Sequence, residues 1–234
     1  MAGTAWPDIL APTVFLACWV GYSRWADRGD GRPGSLMAGV AELRRAWMRQ
    51  MLAREVRIVD TQIVSVLVHA IAFFASSAIL IIGSGVAMLG ARDKVMVVIG
   101  AVPFAAANPP GTWEAKVLLL VVVFVYAFFK FTWSLRQFNY VVIMIGAAPP
   151  WTDAGAPEAL AHAERTATVA SGAAEHFNKA MRTYYFGLAA LSWFVHPYLL
   201  VALTVAVVLV VYRREFRSRT LQTVTASVSR RPRT

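Results

Sequence analysis

Four stretches of this chain are too long and too apolar for an ordinary soluble fold. They are ILAPTVFLACWVGY (Ile9–Tyr22), IVSVLVHAIAFFASSAILIIGSGVAML (Ile63–Leu89), VLLLVVVFVYAFF (Val117–Phe129) and FGLAALSWFVHPYLLVALTVAVVLVVY (Phe186–Tyr212). Runs near or above about 18 residues with almost no charge are long enough to cross the hydrocarbon core of a bilayer as helices. Only 15% of the 234 residues are charged, against about 25% in a soluble domain. The expectation is an all-α polytopic membrane bundle of four to five membrane segments, a single membrane domain over residues 1–234.

The arginines set the topology. The segment after the first run carries eight basic residues, from Arg24 to Arg57, and the tail after Tyr212 carries seven, from Arg213 to Arg233. With four crossings these two clusters fall on opposite sides, and the bias that normally gathers Lys and Arg in the cytoplasm nearly cancels. His196-Pro197 offers a way out. Proline disfavours helix in the residue before it and suits the first turn of a new one, so a chain reversal there makes a fifth segment, Pro197 to about residue 217. Eighteen basic residues then lie inside and three (Arg92, Lys94, Lys116) outside. That arrangement puts the N-terminus outside and the C-terminus in the cytoplasm of a cell inner membrane. The alternative is one helix kinked at Pro197, which membrane helices tolerate. The net charge of +10 belongs to this flanking pattern, so no nucleic-acid partner is expected.

Between the runs, residues 34–60 have apolar positions at Val40, Leu43, Trp47 and Met51 with Ser35 as N-cap, which predicts an amphipathic cytoplasmic helix. Residues 158–180 predict another. MVVIGAVPFAAA (Met96–Ala107) is too short to span and reads as interfacial, and residues 218–234 form a basic tail expected to lack regular structure. Cys18, the one cysteine, rules out an internal disulfide framework. Without a charged n-region before it, FLACW is not expected to be a lipoprotein cleavage box.

The hydrophilic block FFKFTWSLRQFNY (Phe128–Tyr140) interrupts the third run. A helix entering at Val117 reaches Arg136 after about 28 Å, at the cytoplasmic boundary, where Trp133 and Tyr140 belong to the aromatic belt. On the second run Asp60 and Gln62 match Arg136 and Gln137 in depth, and His69 matches Lys130. Glu55, Gln62, His69, Ser76 and Gly83 recur every seven residues, and Ser65 falls beside them. Such a stripe serves either helix packing or the wall of a hydrated path. The candidate site is therefore a polar pocket of His69, Lys130, Ser65, Ser134, Gln62 and Gln137, with an ion pair between Asp60 or Glu55 and Arg136. Arg182, Trp133, Tyr140, Arg213 and Arg214 are candidate lipid or interface anchors. The four histidines differ in depth and lack i, i+3 or i+4 pairing, so no metal, haem or other cofactor is expected. No catalytic constellation or phosphate loop stands out.

REVRIVDTQ (Arg54–Gln62), FVYAFFKFTWSLRQFNY (Phe124–Tyr140), YYFGLAALSWFVHP (Tyr184–Pro197) and YRREFRSRT (Tyr212–Thr220) resemble a domain-of-unknown-function family of membrane proteins shared by proteobacteria and plants. The resemblance runs from about Ala11 to Leu221. It implies an all-helical integral membrane protein and assigns no reaction, cofactor or site. Two functions follow from the residues. One is a homo-oligomeric channel or transport module for an ion or small solute. The other is a structural or accessory subunit that binds another membrane protein, or anionic lipid at the cytoplasmic face.

Overall fold

The computed structural model describes residues 6–29, 35–91 and 111–229, and among them every regular element is helical. The helices are α1 (Trp6–Gly29), α2 (Leu36–Leu52), α3 (Ile58–Gly90), α4 (Thr112–Gly146), α5 (Pro157–Ala190), α6 (Pro197–Phe216) and α7 (Arg219–Ser229), with 3-10 turns at Trp151–Asp153 and Leu191–Phe194. Two of them, α3 and α4, are long and apolar enough to cross a membrane. The stretch Met96–Ala107 lies outside the described residues.

The described residues form two compact units. Unit 1 draws on Met1–Ala26, Ala75–Phe129 and Lys179–Tyr212. Its core includes Phe15 and Trp19 of α1, Ala78 of α3, Leu120, Val123 and Phe124 of α4, Phe186 and Ala190 at the end of α5, Trp193 of the turn that follows, and Leu200 of α6. Contacts along this unit fix the helix directions. From one end of α1 to the other, Asp8 meets Trp193, Phe15 meets Phe186 and Tyr22 meets Arg182, so α1 and α5 are antiparallel. Trp6 meets Tyr198 and Trp25 meets Tyr212, so α1 and α6 are parallel. Hence α5 and α6 reverse on one another through the Leu191–Phe194 turn, and His196-Pro197 marks a hairpin rather than a kink. Pro197 starts α6 because the ring presets the helical φ and the first-turn N–H has no intrahelical partner to lose.

Unit 2 draws on Asp27–Phe74, Lys130–Asn178 and Arg213–Thr234. Here α4 and α5 are antiparallel: Phe131 meets Phe177, Ser134 meets Ala173, and Met144 meets His162. Ala159, Ala163, Ala167, Ala170 and Ala173 give α5 a smooth buried ridge at helical spacing. Ser35 caps α2, its hydroxyl accepting from Ala38 N at 3.1 Å.

Three boundaries differ from the sequence expectation. The first amphipathic helix ends at Leu52, and a loop separates it from α3, so Asp60 sits in the first turn of α3. The second runs unbroken into the apolar stretch, making α5 one 34-residue helix, since nothing between Lys179 and Tyr184 breaks the pattern. The tail expected to be irregular is helical as far as Ser229, and Val224 lies against Gly39 of α2.

Candidate functional site

On α3 the buried face is Val64, Ile71, Ala78 and Gly85. Gln62, His69, Ser76 and Gly83 lie two residues away in phase, about 200° round the helix, and all four are exposed. The polar stripe therefore turns away from the chain's own core. The physical reason is size: a Cβ on Gly85 would stand 2.7 Å from Val121 Cγ2, so that face approaches α4 too closely for anything larger. His69 Nδ1 lies 2.7 Å from the carbonyl of Ser65, one turn back.

Thr61, Gln62, Ser65 and Val68 of α3 and Asn139 and Val142 of α4 line an open groove of about 300 Å³ in unit 2. Of the six predicted pocket residues, the groove takes in Gln62 and Ser65. Ser134 and Gln137 face α5 instead. Ser134 is buried and donates to the Ala173 carbonyl at 2.7 Å, and the Gln137 amide stands over Gly172. Lys130 is half-buried on α4, and His69 is exposed on α3. Depth matching placed these residues at comparable levels, but it carries no information on azimuth. Asn139 was missed, although it lies three residues after Arg136 and thus on the same face.

Asp60 is completely buried, and its Oδ1 accepts from Trp47 Nε1 at 2.7 Å while pairing with Arg54. The partner is thus Arg54, six residues upstream, rather than Arg136. Arg57 donates to the carbonyls of Ala148 and Pro149, which fastens the start of α3 to the loop after α4. Glu55 is exposed. Arg136 is exposed too, its Nε donating to Tyr140 Oη at 2.7 Å and its guanidinium 5.9 Å from the rings of both Trp133 and Tyr140. These three residues form a surface cluster on one helix at the i−3 and i+4 spacings that make such contacts. On α2, burial alone pushes the Arg44 guanidinium below its ordinary range.

Among the described residues of unit 1, two cations are buried. Arg182, read as an interface anchor, is 2% exposed, with its guanidinium 5.9 Å from the Tyr22 ring. It belongs to the interior because α1 covers the face of α5 that carries it. Lys116 is also 2% exposed, and its Nζ stands 5.7 Å from the centre of the Trp193 ring. Sequence reasoning counted Lys116 only as an outside charge; its partner Trp193 is 77 residues away, and no local pattern joins them. Arg213 and Arg214 are exposed at the end of α6.

The model of one protein family matches residues 10–220, nearly the whole chain. The chain belongs to the family described as protein of unknown function, DUF599. No curated protein and no solved structure matches it. The family match takes in the α3–α4 groove, the Asp60 knot and both buried cations, while Asp8 falls just before it.

Proposed function

We propose that this is a multi-pass protein of the cell inner membrane that works as a homo-oligomeric module for passage of an ion or small solute. The observation that carries this reading is the exposed side of α3. Only 17% of its most apolar stretch is buried, yet Gln62 and His69 are exposed among Ile63, Val66, Leu67 and Phe73. Polar side chains at such positions are costly against lipid and face protein or water in membrane proteins. A second copy of the chain meeting this face leaves the α3–α4 groove as a polar seam between subunits. Five crossings, by α1, α3, α4, the end of α5 and α6, draw support from the hairpin at Leu191–Pro197, and a cytoplasmic C-terminus draws support from the distribution of basic residues.

Two measurements test the reading. The protein reconstituted in liposomes conducts protons, chloride or potassium above protein-free vesicles. His69→Cys in a Cys18→Ser background crosslinks between subunits. Folded protein with neither flux nor crosslink overturns it.

A second reading, an accessory subunit at the membrane surface, has its own support. Arg28, Arg213, Arg217 and Arg219 are exposed in unit 2, and the Phe216 ring lies 3.3 Å from where a Cβ on Gly29 would be. The ends of α1 and α6 thus bring basic residues together, and each is worth about 1 kcal/mol toward anionic lipid. Flotation with vesicles containing phosphatidylglycerol but not phosphatidylcholine alone, or a stable hetero-partner in mild detergent, would favour it over passage.

A further inference from the structure

We infer that the α1–α6 edge of unit 1 faces lipid directly and is matched to a thin bilayer, with a row of aromatic rings marking each of its two ends. The two helices run parallel, and rings join them at both ends. At one end Trp6 meets Tyr198 edge to face at 6.3 Å between centres, and His196 stacks on Tyr198 at 5.3 Å. At the other end the Trp25 ring lies 5.9 Å from that of Tyr212 and 5.8 Å from that of Tyr22. Trp6, Tyr198 and Trp25 are exposed. Tryptophan and tyrosine have an apolar body and a polar tip, so they gather where hydrocarbon meets headgroups.

Between the rows the surface is aliphatic. Ile9, Leu16 and Val20 of α1 and Leu203, Leu209 and Val210 of α6 are exposed, and residues 9–23 and 197–212 contain no charge. Arginines come in at the second row, Arg24 and Arg28 on one helix, Arg213 and Arg214 on the other. Both helices thus turn basic at the same ring contact, as a headgroup layer requires and a protein partner does not. The spacing sets the thickness. Trp6 and Trp25 are 19 residues apart, about 28 Å of helix, and Tyr198 and Tyr212 are 14 apart, about 21 Å. An average hydrocarbon core is about 30 Å thick. A span shorter than the core thins the bilayer around it, at a cost that grows with the mismatch. The lipid that fits this edge therefore has short acyl chains.

The inference rests on the multi-pass reading above, and two measurements tell their failures apart. Full-length protein is reconstituted in monounsaturated phosphatidylcholines, from myristoleoyl to erucoyl chains, and melted. The midpoint is expected to be highest with the short chains and to fall by several degrees toward erucoyl. Leu16→Cys in a Cys18→Ser background then carries a bimane label midway along the aliphatic band. Bromine near the end of the lipid chains is expected to quench the label, and iodide in the buffer is expected not to. A midpoint that is flat, or that rises with chain length, overturns the thickness match and leaves the crossings standing. A label shielded from both quenchers means that protein covers this edge, which overturns the lipid-facing assignment alone. A label reached by iodide overturns the inference together with the membrane reading on which it rests. Neither measurement reads transport, so absence of flux in liposomes does not bear on the outcome.

Discussion

Gly187 lies in α5 where Phe124 of α4 crosses it, and a Cβ there would stand 2.7 and 2.8 Å from Phe124 Cε2 and Cζ. Carbon atoms rest at about 3.5–4.0 Å, so Gly187→Ala requires the ring to retreat by about 1 Å. The ring has little freedom to do so: Phe124 is fully buried and packs edge to face on Tyr184 at 5.1 Å between centres. Overpacking of this kind costs about 1–3 kcal/mol, while replacing glycine in a helix interior returns up to about 1 kcal/mol. Gly21→Ala in α1 is the matched control, since no heavy atom lies within 4 Å of its Cβ position. The two variants share the helix-propensity gain, so their difference isolates the clash at about 1–3 kcal/mol. For a chain of this size that is a gap of several degrees, at about 2–4 °C per kcal/mol, read by tryptophan fluorescence on heating in detergent. Phe124→Leu in the Gly187→Ala background is expected to recover part of the loss. A Gly187→Ala protein melting at or above Gly21→Ala refutes the close approach of α4 and α5 on which unit 1 is built.

Further outcomes follow from the same geometry. Asp60→Asn removes a fully buried carboxylate from Arg54 and Trp47; because Arg54 is 40% exposed, the loss is expected at about 1–3 kcal/mol, below that of a fully buried pair, by the same melting assay. Arg57→Met leaves the carbonyls of Ala148 and Pro149 without their donor and is expected to cost about 1–3 kcal/mol, with faster proteolysis in the loop at 147–156. Arg136→Ala is expected to shift stability by less than about 1 kcal/mol, because its partners are exposed and on its own helix; a larger loss would mean that Arg136 has a buried role. A reporter fused to the C-terminus is expected to be protected from external labelling in intact cells, and labelling from outside would overturn the five-segment arrangement.

The helical class was legible because four apolar runs leave little else for the backbone to do, and the hairpin was legible because His196-Pro197 interrupts the last of them. What stayed hidden is azimuth. The stripe from Gln62 to Gly83 shares a face at seven-residue spacing, but so does the set from Val64 to Gly85, and only the close approach at Ala78 and Gly85 decides which is buried. Asp60 illustrates a second limit. Its depth matched Arg136, yet the loop ending α2 at Leu52 brings Arg54 and Trp47 to it first. The Lys116 cluster was invisible for a third reason: Asp8, Lys116 and Trp193 lie on three separate stretches that only the packing of α1, α4 and α5 unites. Finally, the amphipathic and apolar halves of α5 read as two elements because the character of the sequence changes, whereas its backbone preference does not.

Each compact unit is assembled from three separated pieces of chain, with unit 1 needing both α1 and α6. The order of synthesis then matters. The first helix leaves the ribosome long before the sixth that flanks it, so Trp6 and Trp25 must wait for Tyr198 and Tyr212 while nearly two hundred residues are translated. Truncation before Pro197 is expected to leave the earliest helix without its final neighbour, a substrate for proteolysis rather than a smaller working protein.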